Sequence, residues 1–378
     1  MNPIVFNRPF IAGKEPYYIH DAIYKQKALC GNGYYCKKSS NFIEKAFKIK
    51  KVLLTTSCTA ALEMAAMLIN IKPGDEVILP SFTFVSTANA FVIRNAVPVF
   101  VDIRPDTLNI DESKIEENIN SRTKAIVVVH YAGVSSEMDI IIEIAKRYNL
   151  FVIEDAAQAV GASYKNKFLG SIGDFGTYSF HETKNFICGE GGALLINNDR
   201  FIERAQVLLE KGTNRNKFLK GQVDKYTWVD IGSSFVLSEL NAAYLYGQLE
   251  CKDEILKKRR ILFKRYFEGL KPLQNKKKVK LPIIPKNCVS NGHIFYMLCS
   301  TQKERDDLIK YLKTKNIEAV FHYVPLHQSP MGMKFSKNTL LPETVSLSER
   351  IIRLPMFYSL CEDEQNYVIN TVLSYYGI

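Results

Sequence analysis

The chain has 378 residues, an apolar share of 47 %, a charged share of 24 % and a net charge of +11. Such a length exceeds what one compact core usually serves, so a large domain with a smaller partner is expected. The ordinary composition excludes a fibrous or disordered protein, and no run of about 18 apolar residues exists to span a membrane.

The N-terminus lacks the basic start and apolar run of a secretory leader. The eight cysteines show neither CxxC pairing nor metal-ligand spacing, so reduced thiols in a cytoplasm, and no metal, are expected. Basic clusters at Lys257-Lys258-Arg259-Arg260 and Lys276-Lys277-Lys278 read as solvated faces rather than a nucleic-acid footprint. A basic surface also suits anionic small molecules.

From residue 51 to about 200, strand-like and helix-like segments alternate. KVLLT is a strand and TAALEMAAMLIN a helix; EVILP is a strand and TFVSTANAFVIRN a helix. VPVFVDI, KAIVVVH and LFVIEDA follow as strands, the last two separated by the amphipathic EMDIIIEIAKRYN. This alternation predicts βαβ units and a mixed, mainly parallel sheet of an α/β protein. GTYSF and ALLIN, with Gly189, Gly191 and Gly192 between them, are spaced for a tighter connection than a helix. A helical stretch from Leu237 to Phe267 would bridge to a smaller C-terminal α/β domain, placing the division at 1–250 and 251–378. In that domain KVKLPIIP, HIFYMLCS and IEAVFHYVP read as short strands and KERDDLIKYLKTKN as a helix.

Ligands of open α/β sheets bind beyond the carboxyl ends of the strands, so the residues just after each strand matter. Ser57-Cys58-Thr59-Ala60 opens a helix, where free N–H groups and the helix dipole favour an anion. Plain N-capping by Ser57 or Thr59 explains the same residues. Asp155 ends an apolar strand, where a carboxylate needs either a cation or a capping role. The pyridinium of pyridoxal phosphate (PLP) is one such cation, with Gln158 three residues on able to reach the ring's phenolic oxygen. Lys184 in GTYSFHETKN is either a surface lysine or a buried amine with a depressed pKa, and Ser179 nearby could add a hydroxyl to a phosphate. Phe84 is either core or a platform for a planar ring.

Together the motifs SCTAAL, PSFTFVSTANAF, HYAG, IEDAAQ and SFHETKN-x4-EGG, with FHYVPLH and RLPMFYSL in the tail, resemble the DegT/DnrJ/EryC1/StrS sugar aminotransferases. The phrases VSTANAFV, VHYAG, SFHETKN, EKGTNR and GQVDKYTW-x-DIGSS resemble most the branch that forms dTDP-4-amino-4,6-dideoxygalactose for surface polysaccharides. The resemblance implies a fold-type I, aspartate aminotransferase-like PLP enzyme, acting as a homodimer on L-glutamate and a dTDP-4-keto-6-deoxyhexose. It implies that Lys184 carries the cofactor and shuttles a proton, while Asp155 meets the ring nitrogen. Gln158 would touch the phenolic oxygen and Phe84 stack on the ring, while Thr59, Ala60 and Ser179 hold the phosphate. Tyr323 and His327 would meet the sugar or the donor. One departure stands out: where the family places an Asn that reaches the neighbouring subunit's phosphate, this chain has Val236, with Ser233 or Ser234 as replacements. A dehydratase of the same fold would carry a histidine at position 184, and a non-catalytic relative would lack the lysine or the aspartate.

Overall fold

The computed structural model describes residues 3–336 and 339–378. Strands β1 (Lys51–Thr55), β2 (Glu76–Pro80), β3 (Val97–Val101), β4 (Thr123–Val129), β5 (Phe151–Asp155), β6 (Phe175–Ser179) and β7 (Gly192–Ile196) form one seven-stranded sheet. Its order is β1-β7-β6-β5-β4-β2-β3. Only β7 runs antiparallel to its neighbours, so the sheet is mixed and mainly parallel.

The strands are buried on both faces, and their side chains alternate between two cores. Val52, Leu54, Ile78, Ile126, Val128 and Val152 belong to one core; Leu53, Val77, Leu79, Ala125, Val127 and Ile153 belong to the other. This period of two follows from the pleat. The first core is closed by α1 (Glu15–Tyr24), α2 (Tyr34–Ala46) and α5 (Met138–Tyr148). The second is closed by α3 (Cys58–Leu68), α4 (Val85–Val92) and α6 (Ile202–Leu209). Helix α5 stops at Asn149, whose φ of 54° is the left-handed cap that ends a helix cheaply.

The single long helix expected from Leu237 is two: α7 (Glu239–Glu250), packed in the first core, and α8 (Lys252–Asn275). At Cys251 the backbone leaves helical geometry, and its N–H turns to the Gln248 carbonyl at 3.1 Å. There the N-terminal segment crosses, with buried Glu15 accepting from the N–H groups of Ala12 and Gly13 at 2.7 Å each.

A further core joins α8 to the antiparallel pair β8 (Phe295–Leu298) and β9 (Ile351–Leu354), and to α9 (Gln302–Thr314) and α11 (Glu362–Tyr375), while α10 (Pro342–Arg350) packs on α9. Leu262, Tyr266, Phe295, Leu308 and Val368 fill it, and Ile4 reaches in from the N-terminus. Two expected strands are absent as such. KVKLPIIP contributes only the bridge Lys280↔Leu298, because Pro282 and Pro285 lack the N–H a ladder needs. IEAVFHYVP contributes only the isolated bridges Ile4↔Ile317 and Val320↔Arg353, since the chain beyond Phe321 turns toward the end of the large sheet. Among the described residues no helix is long and apolar enough to cross a membrane.

Candidate active site

The carboxyl ends of β2, β4, β5 and β6 converge on one region. Two consecutive carboxylates on β5 point opposite ways, as the pleat requires. Glu154 is fully buried and accepts from the N–H groups of Gly170 (2.8 Å), Ile172 (2.6 Å) and Gly173 (2.7 Å), with His130 Nε2 at 2.9 Å. Asp155, 6 % exposed, accepts from the Thr87 hydroxyl at 2.7 Å and the Ala157 N–H at 3.2 Å. Among the described residues no lysine or arginine forms an ion pair with it, which is an unusual position for a buried carboxylate. A pyridinium nitrogen would supply the missing cation.

Lys184 stands in the loop after β6, half-buried, with its amine within electrostatic reach of Cys58, Asp155 and Arg353. Burial pulls its pKa below the ordinary lysine range; Cys58 and Asp155 oppose that pull, and Arg353 reinforces it. Burial also pushes the Cys58 thiol up, with Asp155 adding to the effect, so Cys58 stays a neutral thiol. The loop is pinned from behind. Asn185 donates to the Asn291 carbonyl at 3.1 Å, and its Oδ1 meets His293 Nδ1 at 3.0 Å, which places the ring proton on Nδ1. Asn291 in turn donates to the carbonyls of Gln158 (2.9 Å) and Val160 (3.0 Å).

The turn into α3 behaves as the capping alternative foresees: Ser57 Oγ accepts from the Ala60 N–H at 3.1 Å. Thr59 Oγ1 lies 2.7 Å from Ser86 Oγ, giving two adjacent hydroxyls at the helix start. Buried Ser179 ends β6, and its Oγ accepts weakly from the His181 N–H at 3.4 Å. Gly192 lets β7 pass hard against this turn: a Cβ there would lie 2.3 Å from the Ser57 carbonyl carbon. Phe84 caps α4 and is 57 % exposed, so it is not core. Val236 is bridged to Thr55 and packs on the second core, while Ser234 bridges to Glu210.

Gln158 links the two halves of the region. Its Oε1 accepts from the Ala132 N–H at 2.8 Å, which fixes the amide's orientation, and Nε2 donates to the Tyr323 hydroxyl at 2.9 Å. One amide proton remains. Tyr323 packs edge-on against Phe82 and Tyr131, with ring centroids 5.5 and 6.2 Å away. His327 is buried elsewhere, its Nδ1 2.7 Å from Ser81 Oγ; burial lowers its pKa, and Asp102 opposes that pull. It is His322, next to Tyr323, that joins the lysine's neighbourhood, bonded to Arg353 and Tyr131. His293 and His322 were not singled out by sequence reasoning, and Cys58 was read only as part of the turn into α3. Cys58 lies inside SCTAAL and His322 inside FHYVPLH, so the motifs held them, but only the fold shows which motif residue faces the amine.

The DegT/DnrJ/EryC1/StrS aminotransferase family matches residues 21–373. GDP-perosamine synthase of Escherichia coli O157:H7 is 31 % identical over 385 aligned positions covering 100 % of both chains. Among solved structures, a DegT DnrJ EryC1 StrS aminotransferase from Brucella abortus superposes with a TM-score of 0.88 at 30 % identity, covering 97 % of this chain and 96 % of that one. Spr1654 of Streptococcus pneumoniae in its PLP form gives a TM-score of 0.89 at 25 % identity over 98 % of each chain. The α/β architecture is thus that of PLP-dependent aminotransferases. By sequence, by fold and by the residues gathered at its strand ends, this chain belongs to the DegT/DnrJ/EryC1/StrS aminotransferase family.

Proposed function

We propose that the protein transfers an amino group from L-glutamate to C4 of a nucleotide-linked 4-keto-6-deoxyhexose, with pyridoxal 5′-phosphate carried on Lys184. The observation that carries this reading is the pairing, at the strand ends, of a buried carboxylate lacking a cation with a lysine amine kept below its ordinary pKa. When bound, the cofactor supplies an electron sink for the carbon that loses its proton.

Asp155 would keep the ring nitrogen protonated, and the remaining Gln158 amide proton would meet the phenolic oxygen. The exposed face of Phe84 would lie along the ring. Thr59, Ala60 and Ser179 would take the phosphate at the positive end of α3. Lys184 Nζ, its pKa drawn below the ordinary lysine range by burial, would accept the proton from the donor's amine-bearing carbon and deliver one to C4 of the acceptor. Tyr323, beside Gln158, and His327, farther along the same loop, are the substrate-side residues of this proposal.

We read residues 1–250 as the cofactor-binding domain and 251–378 as the smaller one, in a homodimer. Supporting the dimer are exposed apolar side chains between 218 and 231, with Leu219 at 64 %, Trp228 at 77 % and Val229 at 54 %. The motif phrases favour dTDP and a galacto product, while the relative named for GDP-perosamine makes GDP the second nucleotide to test.

The test uses holoenzyme and two half-reactions. L-Glutamate alone should release 2-oxoglutarate in amounts matching the active sites. The aminated enzyme should then react quickly with dTDP- or GDP-4-keto-6-deoxyhexoses and very slowly with pyruvate or oxaloacetate. A faster reaction with either oxo acid would end the sugar assignment and leave the cofactor assignment standing.

A further inference from the structure

The parallel strands have a second set of ends, away from the lysine, and charge is handled unevenly there. Arg122, just before β4, pairs with buried Glu76, and Arg204 on α6 pairs with Asp230 at 2.8 Å. Arg204 also gives Nη1 to the carbonyls of Met67 and Leu68, at 3.2 Å each, which closes the end of α3. These two arginines hold the fold together.

Their neighbours are not matched in this way. Lys72, Arg94, Lys124 and Arg200 line one cavity of about 710 Å³ at the amino ends of β2, β4 and β5. The ion pairs of this end among the described residues, Lys50–Asp199, Arg122–Glu76 and Arg204–Asp230, include none of the four. Arg94 Nε is buried with no partner at all. The one carboxylate in the lining, Asp75, is partly engaged, its Oδ2 accepting from the Lys72 N–H at 2.8 Å. Four cations against one acid leave the lining at +3.

Two of the cations are also held in place. The Arg200 guanidinium lies 4.6 Å from the centre of the Phe201 ring and 5.2 Å from that of Phe151. Lys124 Nζ lies 5.7 Å from the same Phe151 ring. The two rings meet edge-on, with centroids 5.9 Å apart. Attraction to the ring faces offsets part of the repulsion between the cations, but a phenylalanine ring carries no net charge. Two cations on one ring still lack an anion. A solvated face spreads its charges, whereas this one gathers them around a concave space of small-molecule size.

We infer that this cavity is an anion-binding site separate from the cofactor's, and that its ligand is a small phosphate-bearing molecule. Planar guanidinium forks match phosphate oxygens in paired bonds, which favours a phosphate over a halide. The volume exceeds what one phosphate fills, so a diphosphate, free or attached to a nucleoside, is the class that fits. Strand β5 runs from Phe151, in the cavity wall, to Asp155, about 13 Å away at roughly 3.3 Å per residue. The two sites therefore share a strand and no side chain.

The experiment titrates inorganic pyrophosphate and ADP into holoenzyme by calorimetry at fixed ionic strength, with the cofactor filling its own phosphate site. Wild type is compared with Arg94→Gln/Arg200→Gln, and with Lys257→Gln/Lys258→Gln, which removes as much charge from α8. The cavity variant should bind pyrophosphate about tenfold or more weaker, and the α8 variant within about twofold of wild type. Any pyrophosphate held on the acceptor's side is common to all three proteins, so the difference reads the cavity. Release of 2-oxoglutarate from glutamate should be the same in all three. Equal affinity for pyrophosphate and ADP means the diphosphate alone is read, and tighter ADP means the nucleoside adds contacts; either upholds the site. Phenylglyoxal, which modifies arginine, supplies a measurement on the unaltered chain. Pyrophosphate should protect Arg94 and Arg200 in peptide mapping, and potassium chloride at the same ionic strength should not. A cavity variant that binds pyrophosphate as wild type does overturns the inference, as does an α8 variant weakened to the same degree. Arginines left equally reactive with and without pyrophosphate overturn it whatever the fold of the variant.

Discussion

Thr87 gives its only hydroxyl proton to Asp155 across 2.7 Å, so the hydrogen bond between Thr83 and Thr87, also 2.7 Å, must run from Thr83. The chain Thr83, Thr87, Asp155 ends on a carboxylate with no cation, each of whose oxygens already takes one hydrogen bond, Oδ2 from Thr87 and Oδ1 from the Ala157 N–H. Asp155→Ala should lower turnover by about a hundredfold or more, since losing one partner of a buried charge pair costs about 3–5 kcal/mol. Thr87→Val should act more mildly, by about tenfold, and weaken cofactor affinity in a fluorescence titration of the cofactor-free protein. Near-normal turnover in Asp155→Ala would make Asp155 a turn-capping residue.

Burial holds the Lys184 pKa below the ordinary lysine range. In the cofactor-free protein its amine should react with formaldehyde and borohydride near pH 7 ahead of the surface lysines, as peptide mapping can show. In the holoprotein, borohydride should fix the cofactor to the same residue. Linkage gives a second readout. Above the lowered native pKa the unfolded chain holds a proton the folded one has lost, so stability of the cofactor-free protein rises with pH until about 10.4. Lys184→Met should remove that rise, and an unaltered profile would place the amine in solvent.

His293, 3 % exposed, is kept neutral by burial first and then by Lys184 and Arg259. Its native pKa lies below its unfolded one, so its contribution is complete above about pH 6.5 and is lost as pH falls. Unfolding free energies from urea titrations between pH 7 and 5 should fall by up to about 1.4 kcal/mol per pH unit from this residue alone. His293→Gln, which keeps a donor for Asn185, should flatten that slope. A slope identical to wild type would show that His293 titrates alike in the folded and unfolded chain.

The chain contains one tryptophan, Trp228, so intrinsic indole fluorescence reports on a single position. At 77 % exposure its emission should be red-shifted in a monomer. If a second copy covers this stretch, emission should move to the blue as concentration rises, in step with the mass seen by light scattering. Red-shifted emission at every concentration would leave the dimer without support.

The large sheet was legible because its strands announce themselves twice, by apolar runs and by the helices between them. LFVIEDA shows why: Val152 and Ile153 serve opposite cores, and only a strand covered on both faces needs both to be apolar. The C-terminal part was less legible. Pro282 and Pro285 interrupt an apolar run that looks like a strand, and Cys251 breaks a helix whose composition gives no warning. In the site, Lys184 and Asp155 followed from their places after strands. His327 and His322 sit in one motif five positions apart, and only the path of the loop decides which one meets the lysine's neighbours.

Glu154 and Asp155 give β5 a parity. One carboxylate is sealed among four donors and the other is left open to a ligand, and the two differ by a single step along the strand. Sliding the strand by one residue would exchange them: a saturated acid would face the cofactor, and an unsaturated one would be buried beneath the sheet. A shift by two would keep each acid on its own side and only move it along the strand. The segment from Phe151 to Asp155 can therefore vary in apolar side chains far more readily than in length, and an odd insertion there would silence the enzyme without unfolding its helices.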